Sequence, residues 1–338
     1  MRDVIVEEGL AHEAKIETFR WSQILPVGLV FAVLAGLPFF GQEFYVDTAL
    51  KMMIYGIFAL SVELMVGRTG LVVFGHAGFF GLGAYVVVLM GQQFDSMGFG
   101  LSLLMALTCS GLYALVTGAL SLRTKGVYFI MITLAFSQLL YFLFHDASFS
   151  GGSDGAYLYY RPQLGWGETP WLDIEQGHAY YFVVLFSLIT TFCFLGYLVR
   201  SRFGHALAGI RMSEQRMRAV GFDTFYYKLS AFVLSAMIAA LAGYLFALKD
   251  GFVNPELLSW HQSGAVLVMV ILGGKGHLRG ALMGAAGLLF LEDLFQSEAM
   301  MGDWSRHWQL SLGLTIVLVV AFLPKGLMGI ADLLQRQR

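Results

Sequence analysis

The chain has 338 residues, of which 57% are hydrophobic and 13% charged, with a net charge of −2 and a mean hydropathy of +0.69. Soluble domains carry about 25% charged residues, so this composition lacks the polar surface to cover a water-exposed globule. The apolar residues fall in long blocks, and about 20 such residues in a row span a bilayer as a helix. The ten-residue alternation of a membrane β-barrel is absent. The expected fold class is an all-α, polytopic membrane helical bundle.

Residues 1–23, MRDVIVEEGLAHEAKIETFRWSQ, mix three basic with five acidic side chains ahead of any long apolar run. A signal peptide would set a short basic region directly before its apolar core, so this stretch reads as a polar N-terminal extension. Apolar runs follow at 24–40, 46–66, 70–90, 99–122, 126–144, 179–199, 229–248, 262–274, 281–295 and 308–323. Several are short or broken by glycine, so about ten spans are expected, within a range of eight to ten. They form a membrane domain over 24–323, followed by a tail at 324–338. Cys109 and Cys193 lie in separate apolar runs, so no disulfide, metal site or redox role is expected.

Charge sets the orientation. With the N-terminus in the cytoplasm, 17 of the 21 Lys and Arg fall in cytoplasmic segments. Three, Arg161, Lys249 and Arg306, fall outside, and Lys51 lies near the outer end of the second run. The positive-inside bias therefore puts both termini inside. An outer loop at 145–178 is rich in glycine and aromatics, Tyr157, Tyr159, Tyr160, Trp166 and Trp171 among them. A cytoplasmic loop at 200–228 shows helical periodicity in Ala206, Leu207, Ile210, Met217 and Val220, with arginines on its other face. A basic amphipathic helix beside a membrane either lies on anionic lipid or docks into a partner's groove.

The run 67–85, GRTGLVVFGHAGFFGLGAY, holds six glycines and one histidine. Gly75, Gly78 and Gly81 recur at three-residue steps, as small residues do where membrane helices approach closely. The other reading is a broken helix lining the pathway, where irregular backbone is tolerated. His76 is either a neutral, hydrogen-bonded core residue or a substrate or gating group, since ionisable groups in spans face the bundle interior or water. Glu63 and Arg68 suit a structural latch at the inner end of the second run. Lys275, His277 and Arg279 put three groups able to carry positive charge in a glycine turn, while Glu292, Asp293, Glu298 and Asp303 read as interface or solvated charges. The stretch SGGSDG permits a tight turn at Gly151, Gly152 and Asp154, structural or anion-binding through its backbone N–H groups.

Five stretches carry a resemblance. They are GRTGLVVFGHAGFFGLGAY (67–85), LRTKGVYFIMITLAFSQ (122–138), SGGSDG (150–155), SRFGHALAGIRMSEQRMRAVGFDTFYYKLSAF (201–232) and ILGGKGHLRGALMGA (271–285), with PKGLMGI near the end. In this order they resemble the membrane permeases of branched-chain amino acid (LivM/LivH-type) ABC importers, nearer the LivM-like branch. The charges at Lys275, His277 and Arg279 depart from that family's usually neutral pattern; they would meet lipid headgroups or an ATPase, or else attract a carboxylate leaving the pathway.

The resemblance implies a bacterial inner-membrane subunit that imports branched-chain amino acids or a related amphipathic solute. It also implies a second, paralogous permease, two cytoplasmic ATPases and a periplasmic substrate-binding protein, with no nucleic acid involved. ATP and magnesium would bind those ATPases, and this chain indeed lacks a G-x-x-x-x-G-K-[ST] phosphate cradle. By the same resemblance the 200–228 loop is the ATPase-coupling element, through Gly204, Ala206, Arg211, Glu214, Ala219 and Gly221. Glu63, Gly75, His76 and Gly78 are the pathway candidates. A passive channel is the competing expectation. An intramembrane enzyme would need paired catalytic groups at one depth, and no Ser/His/Asp, H-E-x-x-H or Cys-based arrangement is present.

Overall fold

The computed structural model describes residues 21–94, 98–162, 164–166, 169–172, 177–323 and 326–329. Most of the N-terminal extension and of the C-terminal tail lies outside these residues. Each of the ten apolar runs contributes a helix. They are α1 (Trp21–Phe40), α2 (Glu43–Glu63), α3 (His76–Gln93), α4 (Phe99–Ser121), α5 (Val127–Asp146), α6 (Gly177–Arg200), α9 (Thr224–Asp250), α10 (Trp260–Gly273), α11 (Leu278–Gln296) and α13 (Trp308–Phe322). Between α6 and α9 lie α7 (Arg202–Met212) and α8 (Glu214–Ala219), and α12 (Glu298–Met301) precedes α13.

Among the described residues, length and composition qualify six helices as spans, or seven if the pair α10–α11 counts as one. The pair is bent by 117° at its glycine turn, and α10 has only 14 residues. In α3 the helix starts at His76, not at residue 70, leaving an 18-residue, glycine-rich helix.

Burial separates centre from periphery. Within the most apolar 18 residues of each, 83% are buried in the span Glu43–Thr69 and 72% in α9, against 28% for each of α4, α5 and α6. No residue of α13 is buried. The outer helices bury a narrow stripe and turn leucines outward, such as Leu104, Leu112, Leu115 and Leu120 of α4. In lipid such faces cost nothing, so association depends on close packing and hydrogen bonds. On α4 the buried stripe is Ser102, Ala106, Ser110, Ala114, Thr117 and Ser121, small residues about one turn apart. It lies along α9, with Ser102 Oγ 2.7 Å from Tyr244 Oη and Ser110 donating to the Ala236 carbonyl at 3.3 Å.

The two ends of the bundle differ. At one, β1 (Ala156–Tyr157) pairs antiparallel with β4 (Phe252–Val253), and Lys249 bridges Asp47 at 2.9 Å. A second short ribbon, β2 (Leu164–Trp166) with β3 (Thr169–Leu172), belongs to the same long loop. At the other end lie the start of α9, helices α7 and α8, the 64–70 turn and the glycine turn at 274–276, joined by the bonds described below. The loops that charge assigns to opposite sides of a membrane thus lie at opposite ends.

Candidate functional site

Residues 200–228 fold as two short helices, because Ser213 breaks the periodicity. Its extended backbone ends α7, and its Oγ accepts from the Arg216 N–H to cap α8. Ala206, Leu207 and Ile210 are buried, as the apolar stripe requires. Val220 is 75% exposed, because the break at Ser213 resets the phase of the stripe. Gly204 sits where a Cβ would meet the Leu198 and Val199 carbonyls, so α6 and α7 can turn tightly. Gly221 adopts φ +95° in the turn into α9, a conformation that favours glycine, and Ala219 is exposed.

Glu214 points inward. Its Oε1 accepts from Lys228 Nζ at 2.9 Å, Arg218 Nη2 at 2.5 Å and Thr224 Oγ1 at 3.1 Å. Burial opposes its charge, but Lys228, Thr224 and Arg218 outweigh burial and hold the carboxyl below its ordinary range. Lys228 is itself buried, so this cluster pins α8 to the first turns of α9. Arg211 also turns back into the bundle, where its Nη1 donates to the Gly67 carbonyl. The exposed groups on this segment include Arg202, His205, Met212, Gln215, Arg216, Val220, Phe222 and Tyr226, and Arg211 and Arg218 keep exposed surface beside their inward bonds.

Glu63 is fully buried at the end of α2. The chain continues as one wide π turn, Leu64–Thr69, ending at Gly70 in the left-handed region. Arg68 is close enough for its charge to act on the Glu63 carboxylate, as is Arg211. A hydrogen bond of that carboxylate also crosses the bundle: Oε1 accepts from the Gly276 N–H at 2.7 Å. The carboxylate lies flat against Gly67, where any side chain would displace it.

The pathway candidates on α3 pack tightly. Gly75 abuts the Thr133 carbonyl and Gly78 lies against Ser137, both on α5, while Gly81 faces Leu258. His76 is fully buried, its Nε2 2.6 Å from Ser235 Oγ, and Ser235 donates to the Ser61 carbonyl at 2.5 Å. The serine hydrogen is thereby committed, so the proton between them belongs to Nε2. Nδ1 has no hydrogen-bond partner among the described residues. Next to this chain a cavity of about 10 Å³, room for one water, is lined by Gly75, Phe79, Tyr113, Thr117, Thr133, Ser137 and Phe232, among others. Ser235→Ala is expected to leave the buried His76 Nε2 unpaired and to cost about 2 kcal/mol, read as a lowered unfolding temperature in detergent. An unchanged temperature would mean the His76–Ser235–Ser61 chain carries no stability.

The SGGSDG turn forms two short 3₁₀ segments, with Gly151, Gly152 and Gly155 at positive φ. Ser150 Oγ donates to the Phe144 carbonyl, Asp154 neighbours Ser153, and Gly155 fits under Val253. Its geometry delivers the chain into β1.

Lys228, Ser235 and Gly276 were not among the candidates. A lysine and a serine within an apolar run signal paired groups, which could have marked the first two. The role of Gly276 is made by its backbone N–H, and residue identity carries no trace of that. No group of three or more His, Cys, Asp or Glu able to hold a metal occurs among the described residues.

A family model described as "Branched-chain amino acid transport system / permease component" matches residues 44–322. The chain is 30% identical over 319 residues to the high-affinity branched-chain amino acid transport system permease protein LivM of Salmonella typhimurium, covering 89% of this chain and 73% of that one. It is 30% identical over 323 residues to LivM of Escherichia coli, with the same coverage. Identity is 22% over 285 residues to the permease protein BraD of Pseudomonas aeruginosa, covering 81% of this chain and 91% of that one. No solved structure matches. With nearly the whole bundle matched by the family model and both LivM proteins aligned along most of its length, the chain belongs to the branched-chain amino acid permease family, the membrane subunits of ABC importers.

Proposed function

We propose that the chain forms half of the translocation pathway of an importer in a bacterial inner membrane, carrying branched-chain amino acids or a related amphipathic solute. A second, paralogous permease supplies the other half. A periplasmic binding protein delivers cargo to the end that carries β1 and β4, and two cytoplasmic ATPases dock at the end that carries α7 and α8. ATP and magnesium bind on those ATPases. Both termini lie in the cytoplasm, the side to which the positive charge is biased. The cargo class rests on the names of the relatives.

The observation that supports this reading most directly is the build of residues 202–228. A solvated loop would not pin itself to the bundle through both Arg211 and Glu214 while leaving arginines exposed. A segment anchored that way transmits force. Closure of the ATPase dimer would shift it, and the permease would pass between outward- and inward-open states whose stabilities the bound partners bias.

The test is to purify the tagged chain in mild detergent, identify what accompanies it and measure ATP hydrolysis. Arg202→Glu and Arg216→Glu reverse exposed charges without touching the internal bonds. They are expected to detach the ATPases or to uncouple hydrolysis from transport. If the chain purifies alone and passes solute across liposomes without ATP, it is a channel and the importer reading fails.

A further inference from the structure

Two bonds already described meet at one place. Arg211, on α7, donates to the carbonyl of Gly67 in the π turn. Four residues earlier, Glu63 accepts from the backbone of Gly276, in the turn between α10 and α11. The Glu63 carboxylate fills the space that a Cβ on Gly67 would take, with Oε1 inside that space and Oε2 3.0 Å from it. Arg211, Gly67, Glu63 and Gly276 therefore form a continuous contact chain from the 202–228 segment to the bent pair.

Each part of this chain has a physical reason. A π turn widens the helix by one residue, and such turns recur at functional sites. Here it lets a long side chain fold back over a residue without a Cβ. Gly276 has φ +98° and Gly274 φ +107°, backbone that favours glycine and leaves the Gly276 N–H facing Glu63. Beyond the turn, Gly273, Gly280 and Gly284 bring α10 and α11 into backbone contact, so the pair moves as one body about the turn. Burying a carboxylate in this position is costly, and Oε2 has no hydrogen-bond partner among the described residues. A methionine or leucine would fill the same space more cheaply if packing were the only demand.

We propose that Glu63 is a positioning residue that links the 202–228 segment to the α10–α11 turn, so that displacement of the one re-aims the other. This rests on the reading of 202–228 as the coupling element. Glu63 touches no cargo in this role. It holds the Gly276 N–H through an acceptor oxygen, while Arg211 holds the π turn at the Gly67 carbonyl, its Nη1 3.9 Å from where a Cβ on Gly276 would stand. Glutamine at 63 keeps that acceptor and methionine removes it.

The test uses the full importer in liposomes, with Lys275→Cys as a reporter in a Cys109→Ser, Cys193→Ser background. Lys275 is exposed and adjacent to Gly276. In the parent, thiol labelling at 275 is expected to differ between nucleotide-free and vanadate-trapped states. Glu63→Met is expected to abolish that difference and to lower transport per ATP about tenfold, while Glu63→Gln stays within about twofold of the parent. Arg211→Met, at an exposed side chain, is expected to abolish the labelling difference with the ATPases still bound. That variant keeps the proposal testable if Glu63→Met does not assemble.

The proposal is overturned if labelling at 275 ignores nucleotide in the parent, if Glu63→Met keeps parental coupling, or if Glu63→Gln fails as Glu63→Met does. Loss of the ATPases from Arg211→Met would put that arginine in the docking surface and break the link. Failure of the coupling reading itself looks different, because Arg202→Glu and Arg216→Glu would then leave ATPase binding unchanged.

Discussion

Gly243→Val is expected to abolish the folded yield of this protein. Gly243 lies on α9, where a Cβ would fall inside the carbonyl of Phe80 on α3. The contact is reciprocal, since a Cβ on Gly83 of α3 would stand 2.7 Å from Ala240 Cα on α9. Both obstacles are backbone, so no side chain can rotate away, and the two helices would have to separate along their length. Overpacking a well-packed core costs about 1–3 kcal/mol, and here the upper end is the minimum. Separation would also strain the Ser235–His76 bond, because Ser235 is on α9 and His76 opens α3. The control is Gly196→Val on α6, where nothing lies within 4 Å of the added carbon. Size-exclusion after heating in detergent reads both. Parental melting of Gly243→Val would mean α3 and α9 do not meet as described.

Glu214→Ala is expected to give the second largest effect. It removes the carboxylate that compensates the buried Lys228, whose side chain is 8% exposed. Breaking a buried pair from one side costs about 3–5 kcal/mol. Glu214 is itself 24% exposed, and partial solvation brings the expectation to about 2 kcal/mol. Arg218, 55% exposed, adds little. The diagnostic variant is Glu214→Ala with Lys228→Met, which removes both charges and should regain most of the loss. If the double variant is as unstable as the single one, the damage lies in packing, not in an abandoned lysine.

The pH dependence has a definite sign. The Glu214 carboxyl is held below its ordinary value in the fold, so its contribution is complete above the ordinary carboxylate range of about 4.3. It is lost as pH falls through the depressed folded value. The parent should therefore lose more stability on acidification than the double variant does. Equal losses in both would contradict the clamp.

Several features of the chain follow from the amino acids alone. Apolar blocks of bilayer length compel helices, because backbone groups in lipid must be satisfied within their own segment. The ten helices accordingly fall on the ten apolar runs. The small-residue stripe Ser102–Ala106–Ser110–Ala114 marks a packed face of α4, because only small side chains allow close approach without a hydrophobic drive between helices. Family membership was legible from motif order, since glycine and charge at fixed spacings survive divergence better than interchangeable lipid-facing leucines.

The tertiary structure decided the rest, and in each case the deciding contact joins residues far apart in sequence. Arg211 and Glu214 read alike as coupling residues, yet both turn inward because Gly67 and Lys228 offer partners there. Glu63 suggested a local latch with Arg68, and nothing in the sequence pointed to its hydrogen bond with Gly276, 213 positions away. Whether the helix pair at 260–296 makes one bent element or two spans depends on the 117° angle at its turn. Glycine in that turn permits many angles, and only packing against neighbouring helices selects one. Composition sets what must be buried and at what period; which buried groups meet is chosen by the packing of the whole bundle.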